Sequence, residues 1–509
     1  MGQGGQGLRR QGRLNSTAQR CGWRPGLAVA LHLMLLGGWA QSAEGLPTPV
    51  AAAATRANVP RDALHLLVLD AQGPLGRTTP RLSYRADVAA NPASVMKLVT
   101  TYAALDLLGP GYTWSTPVAV DGRLEGEVLR GNLHVRGQGD PKLVIERIWL
   151  LLRRIQTLGI RQIDGDIVLD RSAFVLPDTA PGQFDGEPFR PYNAAPDALL
   201  LNFKSVLLTF RPDAAMQRAT LVVEPALAGV SLAPSVPLRP GECGDWRSAL
   251  KADFSDPTRP VFGGAYAASC GERVWPLAFA DPVSYAPRLL AAMWREMGGT
   301  LTGSVRYGIM PRAATPLLEF ASPPLADVVR DINKYSNNVM AQQVFLTLAL
   351  ERRTDMQRGV GFDAARDVVQ RWWQERWPDV PTPVIENGSG LSRQERISAA
   401  ALGRMLQGAY QSPVMSELMS SLPVAGVDGT LRRNRARTAP GSAHLKTGSL
   451  RDVTALAGYV LGQSGRRYVL VALVNHPTPG VAAAARPALD ALIEWTQADT
   501  GAAATARSE

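Results

Sequence analysis

Clustered metal ligands are missing from this chain. It has three cysteines and five histidines in 509 residues. His32, His65, His134, His444 and His476 stand singly, and no H-x-x-x-H or C-x-x-C spacing occurs. Zinc sites are built from such clusters, so no metal is expected, and no other cofactor. The phosphate-cradling G-x-x-x-x-G-K-[ST] loop is missing, as is the G-x-S-x-G turn of α/β-hydrolases. The most apolar run, LAVALHLMLLGGWA at 27–40, is shorter than the about 20 residues a membrane span takes. Lysine and arginine are scattered, which excludes a nucleic-acid stripe; the one dense run, RRNRAR at 432–437, reads as a solvated loop.

What is present at the N-terminus has the form of a leader. Arg9, Arg10, Arg13, Arg20 and Arg24 precede the apolar run, no acidic residue accompanies them, and the small residues AQSA follow at 40–43. This pattern predicts a secretory signal peptide over 1–43, cleaved near residue 43, with an uncleaved anchor as the alternative. Without those five arginines the formal charge of +10 falls to +5. That suits an anionic polymer as partner and a weak association with the cell envelope. Cys21 lies in the leader. Cys243 and Cys270 remain as a pair in an oxidising compartment. A disulfide between them is expected, closing a loop of about 26 residues and contributing roughly 3 kcal/mol; two buried thiols are the alternative.

Charged residues make up 19% of the chain, which marks a globular protein of more than one domain. ALHLLVLDAQG (63–73) reads as a strand and a turn. The NPASVMK segment (91–97) then opens a helix that stays apolar to Leu108, with Asn91 as cap, Pro92 at the first position and Ser94 in the first turn. Short β-like runs fill 111–314, interrupted by one amphipathic helix at 143–159. Helices return at 325–336, 337–353, 363–377 and 397–410. Three strands (AHLKTGS, TALAGYVLG and RYVLVALVNH) and a helix at 482–497 close the pattern. One domain is therefore expected to be discontinuous, 44–110 with 315–497, around a β-rich insert at 111–314, and 498–509 to fray.

Three short stretches carry candidate chemistry. Ser94 and Lys97 are three apart, hence on one face of a helix. A serine hydroxyl needs a base, and lysine serves when burial lowers its pKa. Alone, S-x-x-K is also a common accident. Ser336 and Asn338 offer a hydroxyl and an amide, or a plain helix cap. Lys446, Thr447 and Gly448 set a cation, a hydroxyl and a close-approach glycine on an edge strand, where lysine also serves to deter aggregation.

The order S-x-x-K, S-x-N, K-T-G is far more specific than its parts. It is the set of penicillin-binding proteins and class A β-lactamases. With KYSNNVMAQQ (334–343), NGSGLSR (387–393), LPVAGVDGTLRRN (422–434), HLKTGSLRDVTALAGYV (444–460) and GQGDPKL (137–143), the chain resembles the D-alanyl-D-alanine carboxypeptidase/endopeptidase family of class C low-molecular-mass penicillin-binding proteins, peptidase family S13. The resemblance implies an α/β (α+β) penicillin-binding-protein/β-lactamase-like transpeptidase fold, an antiparallel sheet flanked by helices with large β-rich insert subdomains. It implies a periplasmic peptidase acting on peptidoglycan stem peptides ending in D-Ala-D-Ala and blocked covalently by β-lactam antibiotics. It implies Ser94 as nucleophile, Lys97 as base, Ser336 as proton relay and Asn338 as holder of the substrate amide. Lys446 and Thr447 bind the terminal carboxylate beside Gly448, and the N–H groups of Ser94 and Ser449 form the oxyanion hole. Arg393 and Asp185 are the implied contacts to a diaminopimelyl side chain. Gln342 stands where the family often has an acidic residue, a change expected to affect packing. A non-catalytic wall-binding protein and a secreted β-lactamase are the competing readings; the long insert disfavours the second.

Overall fold

The computed structural model describes residues 45–355, 359–436 and 440–500. The expected leader (1–43) and residues 501–509 of the expected tail lie outside the described residues.

A five-stranded antiparallel sheet forms the frame. Its strands run in the order Leu82–Tyr84, Leu64–Asp70, Arg467–Asn475, Val453–Leu461, Ala443–Leu450. Strands from the two ends of the chain thus pair side by side, Leu64 opposite Val474 through Asp70 opposite Tyr468. Leu64–Asp70, Val453–Leu461 and Arg467–Asn475 are almost uninterrupted apolar runs, which suits a sheet covered on both faces. Alternate residues face different cores. Leu67, Leu69, Val469, Val471 and Leu473 join the helical core on one side. Leu64, Leu66, Val68, Leu470, Ala472 and Val474 face the helices Thr48–Arg56 and Arg486–Gln497 on the other.

The helix Lys97–Leu108 lies in the first of these cores, with every residue from Lys97 to Leu105 buried. It ends at Gly109, whose φ of +81° closes it where a side chain would be strained. Leu325–Tyr335, Asn338–Arg352, Phe362–Arg376 and Ala399–Tyr410 pack around it.

Between Leu108 and Leu325 the chain builds three further sheets of four or five strands and a core of its own, against the helices Ile145–Thr157 and Pro282–Glu296. The outer strands of this section, Ser115–Val120 and Thr315–Ala321, pair antiparallel, so the chain leaves and re-enters the helical region at one place. Cys243 and Cys270 are bonded, as expected.

Four details differ from the sequence expectation. The α-helix starts at Lys97 and not at Pro92; Ala93–Met96 is a 3₁₀ turn, and Ser94 sits in it. The helix Pro282–Glu296 was hidden by Pro282 and Pro287, which read as turn residues; Pro282 occupies the first turn, where its missing N–H is harmless, and Asp281 caps the end by accepting from Ser284 N. Thr48–Arg56, rich in alanine, carried no marked period. The expected helix at 482–497 is two, Val481–Ala484 and Arg486–Gln497, because Pro487 has no N–H to continue the ladder.

Candidate active site

Asn91 anchors the turn that carries Ser94. Its Oδ1 accepts from Ala93 N at 2.8 Å, its Nδ2 donates to Ser392 O at 2.9 Å, and its backbone exchanges hydrogen bonds with the Asn475 side chain at 2.8 and 2.9 Å. Ala93 is held at a φ of +47°, a left-handed conformation that a non-glycine residue adopts at a cost of about 1 kcal/mol. Two glycines permit the crowding around it. A Cβ on Gly390 would sit 2.0 Å from Ala93 O, and one on Gly448 would sit 2.6 Å from Pro92 O and 3.1 Å from Ser94 N. Gly448 therefore admits the protein's own backbone, a nearer demand than the approach of a substrate. Gly390 and Gly448 together bring the segments 387–393 and 446–449 against 91–97.

Lys97 is fully buried. Its Nζ donates to Ser94 Oγ at 2.9 Å, to Asn338 Oδ1 at 2.6 Å and to the Ser389 carbonyl. Burial, and then the charge of Lys446, hold its pKa well below the ordinary lysine value; Glu395 pulls the other way. Lys446 is also fully buried, and donates to Ser336 Oγ and to Thr447 O, each at 2.8 Å. Burial brings its pKa down to about 7. It lies on the outermost strand of the sheet, but a lysine placed there to deter aggregation would be exposed.

The Ser336-Asn337-Asn338 step divides its tasks. Asn337 is the helix cap, its Oδ1 accepting from Met340 N at 3.0 Å. Ser336, at a φ of +58°, ends the preceding helix. Ser336 and Asn338 are thereby released towards the two lysines. Asn338 Nδ2 also donates to Tyr192 O at 3.1 Å. Thr447 Oγ1 lies 2.8 Å from Thr430 Oγ1. Ser94, Ser336, Thr430, Thr447, Gly448 and Ser449 line one cavity of about 760 Å³.

Asp185 and Arg393 stand apart from this cluster. A second cavity, about 460 Å³, is lined by Phe184, Tyr192, Asn193 and Arg393 among others. Arg393 pairs with Asp452 at 2.6 Å and lies over the Phe184 ring. Asp185 accepts from Tyr192 OH and Asn193 Nδ2, both at 2.8 Å. Burial pushes its carboxyl up, but these bonds outweigh it and leave the pKa below the usual range. No ion pair joins Asp185 to Arg393.

Two participants carried no signal of their own. The Ser389 carbonyl is a backbone atom, made available by the glycines of NGSG, and Gln342 Nε2 lies 3.4 Å from Ser389 Oγ. Glu395 is fully buried, and its Oε1 accepts from the N–H groups of Glu386 and Asn387 at 3.1 and 3.3 Å. Burial pushes its carboxyl up to about 7 against those bonds and the Lys97 charge.

Chemically, a buried amine that sheds its proton easily, 2.9 Å from a serine hydroxyl on an open cavity, can generate a nucleophile. A second buried amine on a second serine can carry a proton elsewhere in the same cavity.

Comparison with known proteins points to a family of peptidases. Residues 50–498 match the D-Ala-D-Ala carboxypeptidase 3 (S13) family. The D-alanyl-D-alanine carboxypeptidase DacB of Haemophilus influenzae is 25% identical over 391 residues, 76% of this chain and 81% of that protein. The D-alanyl-D-alanine carboxypeptidase of Actinomadura sp. (strain R39) is 29% identical over 416 residues, 76% of this chain and 74% of that protein. The crystal structure of penicillin binding protein 4 (dacB) from Haemophilus influenzae superposes with a TM-score of 0.70 at 22% identity, covering 88% of this chain and 99% of that one. The fold is thus that of the penicillin-binding proteins.

Proposed function

Since the chain belongs to the D-Ala-D-Ala carboxypeptidase 3 (S13) family, we propose that it is a serine peptidase of the bacterial cell wall, which removes terminal D-alanine from peptidoglycan stem peptides and cuts D-alanyl cross-links. In this reading Ser94 Oγ attacks the carbonyl of the penultimate D-alanine and Lys97 takes its proton. The N–H groups of Ser94 and Ser449 hold the oxyanion, each such donor being worth about 3 kcal/mol. Collapse of the tetrahedral intermediate breaks the peptide bond, and the departing amine receives a proton from Ser336, which Lys446 resupplies. Asn338 holds the substrate amide, and Lys446 and Thr447 hold the terminal carboxylate beside Gly448. Water then hydrolyses the acyl-enzyme. The cavity around Arg393, with Asp185 behind Tyr192 and Asn193, takes the free end of a diaminopimelyl side chain. The substrate lies outside the cytoplasm, in keeping with a periplasmic location.

One observation carries the reading: Lys97 Nζ is buried 2.9 Å from Ser94 Oγ, with no carboxylate ion-paired to it among the described residues. β-Lactams are the convenient probe, because a β-lactam complex of the Haemophilus penicillin binding protein 4 has been crystallised. The test is the intact mass of the protein after benzylpenicillin treatment. A single stable adduct is expected, absent in Ser94→Ala. Normal labelling of Ser94→Ala would overturn the assignment, and rapid turnover of penicillin would mark a β-lactamase.

A further inference from the structure

The basic run that reads as a solvated loop has a second property: it forms part of the wall of the Ser94 cavity. Arg433 and Arg435, and with them Arg486 at the start of the helix Arg486–Gln497, line the space that Ser94, Ser336 and Thr447 open into. All three arginines are exposed. None makes a hydrogen bond or an ion pair with a described residue. One carboxylate shares this wall, Asp490, within electrostatic reach of Arg435 and Arg486 and already accepting from Asn434 Nδ2 at 2.8 Å. Three guanidinium groups against this one lining carboxylate, with Glu494 the next acidic group beside Asp490, leave the wall net positive.

Its position relative to the chemistry is fixed. Thr430, three residues before Arg433, touches Thr447 through the two hydroxyls at 2.8 Å. The base of the segment is pinned: Asp428 accepts from Lys334 Nζ at 2.6 Å and from Val424 N at 2.8 Å. A Cβ on Gly429 would sit 2.6 Å from Lys334 O. Lys334 belongs to the helix that ends at Ser336. The arginines therefore continue the cavity outward from Thr447, the side on which the departing half of the substrate is held. The Arg393 cavity shares no lining residue with this one.

We infer that Arg433, Arg435 and Arg486 form a binding subsite for an acidic peptide on the leaving-group side of the scissile bond. This rests on the peptidase reading above. A lone departing D-alanine has its single carboxylate at Lys446 and Thr447 and nothing further to offer the arginines. A cross-linked substrate departs as a whole second stem peptide, whose further carboxylates match guanidinium groups that have no hydrogen-bond or ion-pair partner among the described residues. The subsite thus favours cutting cross-links over trimming ends.

The test compares kcat/KM for two synthetic substrates, a monomeric stem peptide ending in D-Ala-D-Ala and a cross-linked dimer, in the full mature protein and in Arg433→Glu/Arg435→Glu/Arg486→Glu. We expect the variant to lose about 10-fold or more on the dimer at low salt, and less than about 2-fold on the monomer. A dimer whose leaving stem has its free carboxylates amidated, except the one beside the scissile bond that Lys446 and Thr447 hold, should lose its advantage in the wild type. Added salt should erode the wild-type preference for the unmodified dimer. Equal losses on both peptides, or indifference to amidation, with normal penicillin acylation of Ser94, would overturn the subsite alone. Failure of the wild type to cleave either peptide would overturn the peptidase reading beneath it.

Discussion

In the β-rich section Lys204 is buried with its Nζ 2.9 Å from a carboxylate oxygen of Asp197. In the active-site region Lys97 and Lys446 are buried more completely and face hydroxyls, an amide and carbonyls, with no carboxylate paired to either among the described residues. The same side chain, buried in both regions, thus meets two different settings. A lysine buried with its counter-charge beside it ties two segments of the chain together. One taken from water without it is pressed to release its proton. The first arrangement is architecture; the second is the setting that the proposed mechanism requires of its base.

Several variants would break or sharpen this contrast. The largest effect belongs to Lys97→Arg, which keeps the charge but cannot give up its proton. Acylation by a fluorescent penicillin, followed as a second-order rate, should fall by about 10³-fold. Lys204→Arg should leave that rate within about 2-fold, and a large loss there would mean that the two lysines are not distinct. Next comes Asp197→Asn, which removes the carboxylate that both Lys204 and Arg171 pair with, leaves Lys204 buried without its counter-charge and should cost about 3 kcal/mol in urea unfolding. Replacing both Cys243 and Cys270 by serine should cost about 2–3 kcal/mol while Ser94 still acylates; loss of acylation would show the β-rich section coupled to the site more tightly than its separate core suggests.

The smallest and most diagnostic change is Lys446→Met. The native group releases its proton near pH 7 and the unfolded one near pH 10.5. Between these the unfolded chain binds more protons, so this group's contribution to wild-type stability rises with pH. Lys446→Met lacks that term. It should be at least as stable as wild type at or below pH 7, and its advantage should shrink as pH climbs towards 10.5. A constant difference across that range would show that Lys446 is not the group shifted. Acylation should fall in this variant at every pH.

The sequence was most legible where residue type and chemistry coincide. Leu64–Asp70, Val453–Leu461 and Arg467–Asn475 announce themselves as long apolar runs, because the sheet is covered on both faces. The lysine helix stays apolar from Leu98 to Leu105 apart from Thr100 and Thr101, and Ser94, Ser336 and Lys446 stand in short words of recognisable order. What escaped is carried by backbone or by distance. Nothing in the letters places the Ser389 carbonyl on Lys97, forces Ala93 to a positive φ, or sets Glu395 behind the base. Gly390 and Gly448 are visible as glycines, but the atoms that require them, Ala93 O and Pro92 O, lie far off along the chain. The arginines at 433 and 435 were visible as charge and invisible as a wall, because the cavity is made by segments remote in sequence.

The pairing of Ser115–Val120 with Thr315–Ala321 has a consequence for the history and engineering of the chain. An excursion of this length would ordinarily burden the frame with the entropy of closing a very long loop. Because its two ends are zipped to each other, the frame meets it as it would meet a short hairpin. Such a graft can be lengthened, shortened or exchanged at its far side while Ser94, Ser336 and Lys446 stay in register, which makes this ladder the natural seam at which to build chimaeras.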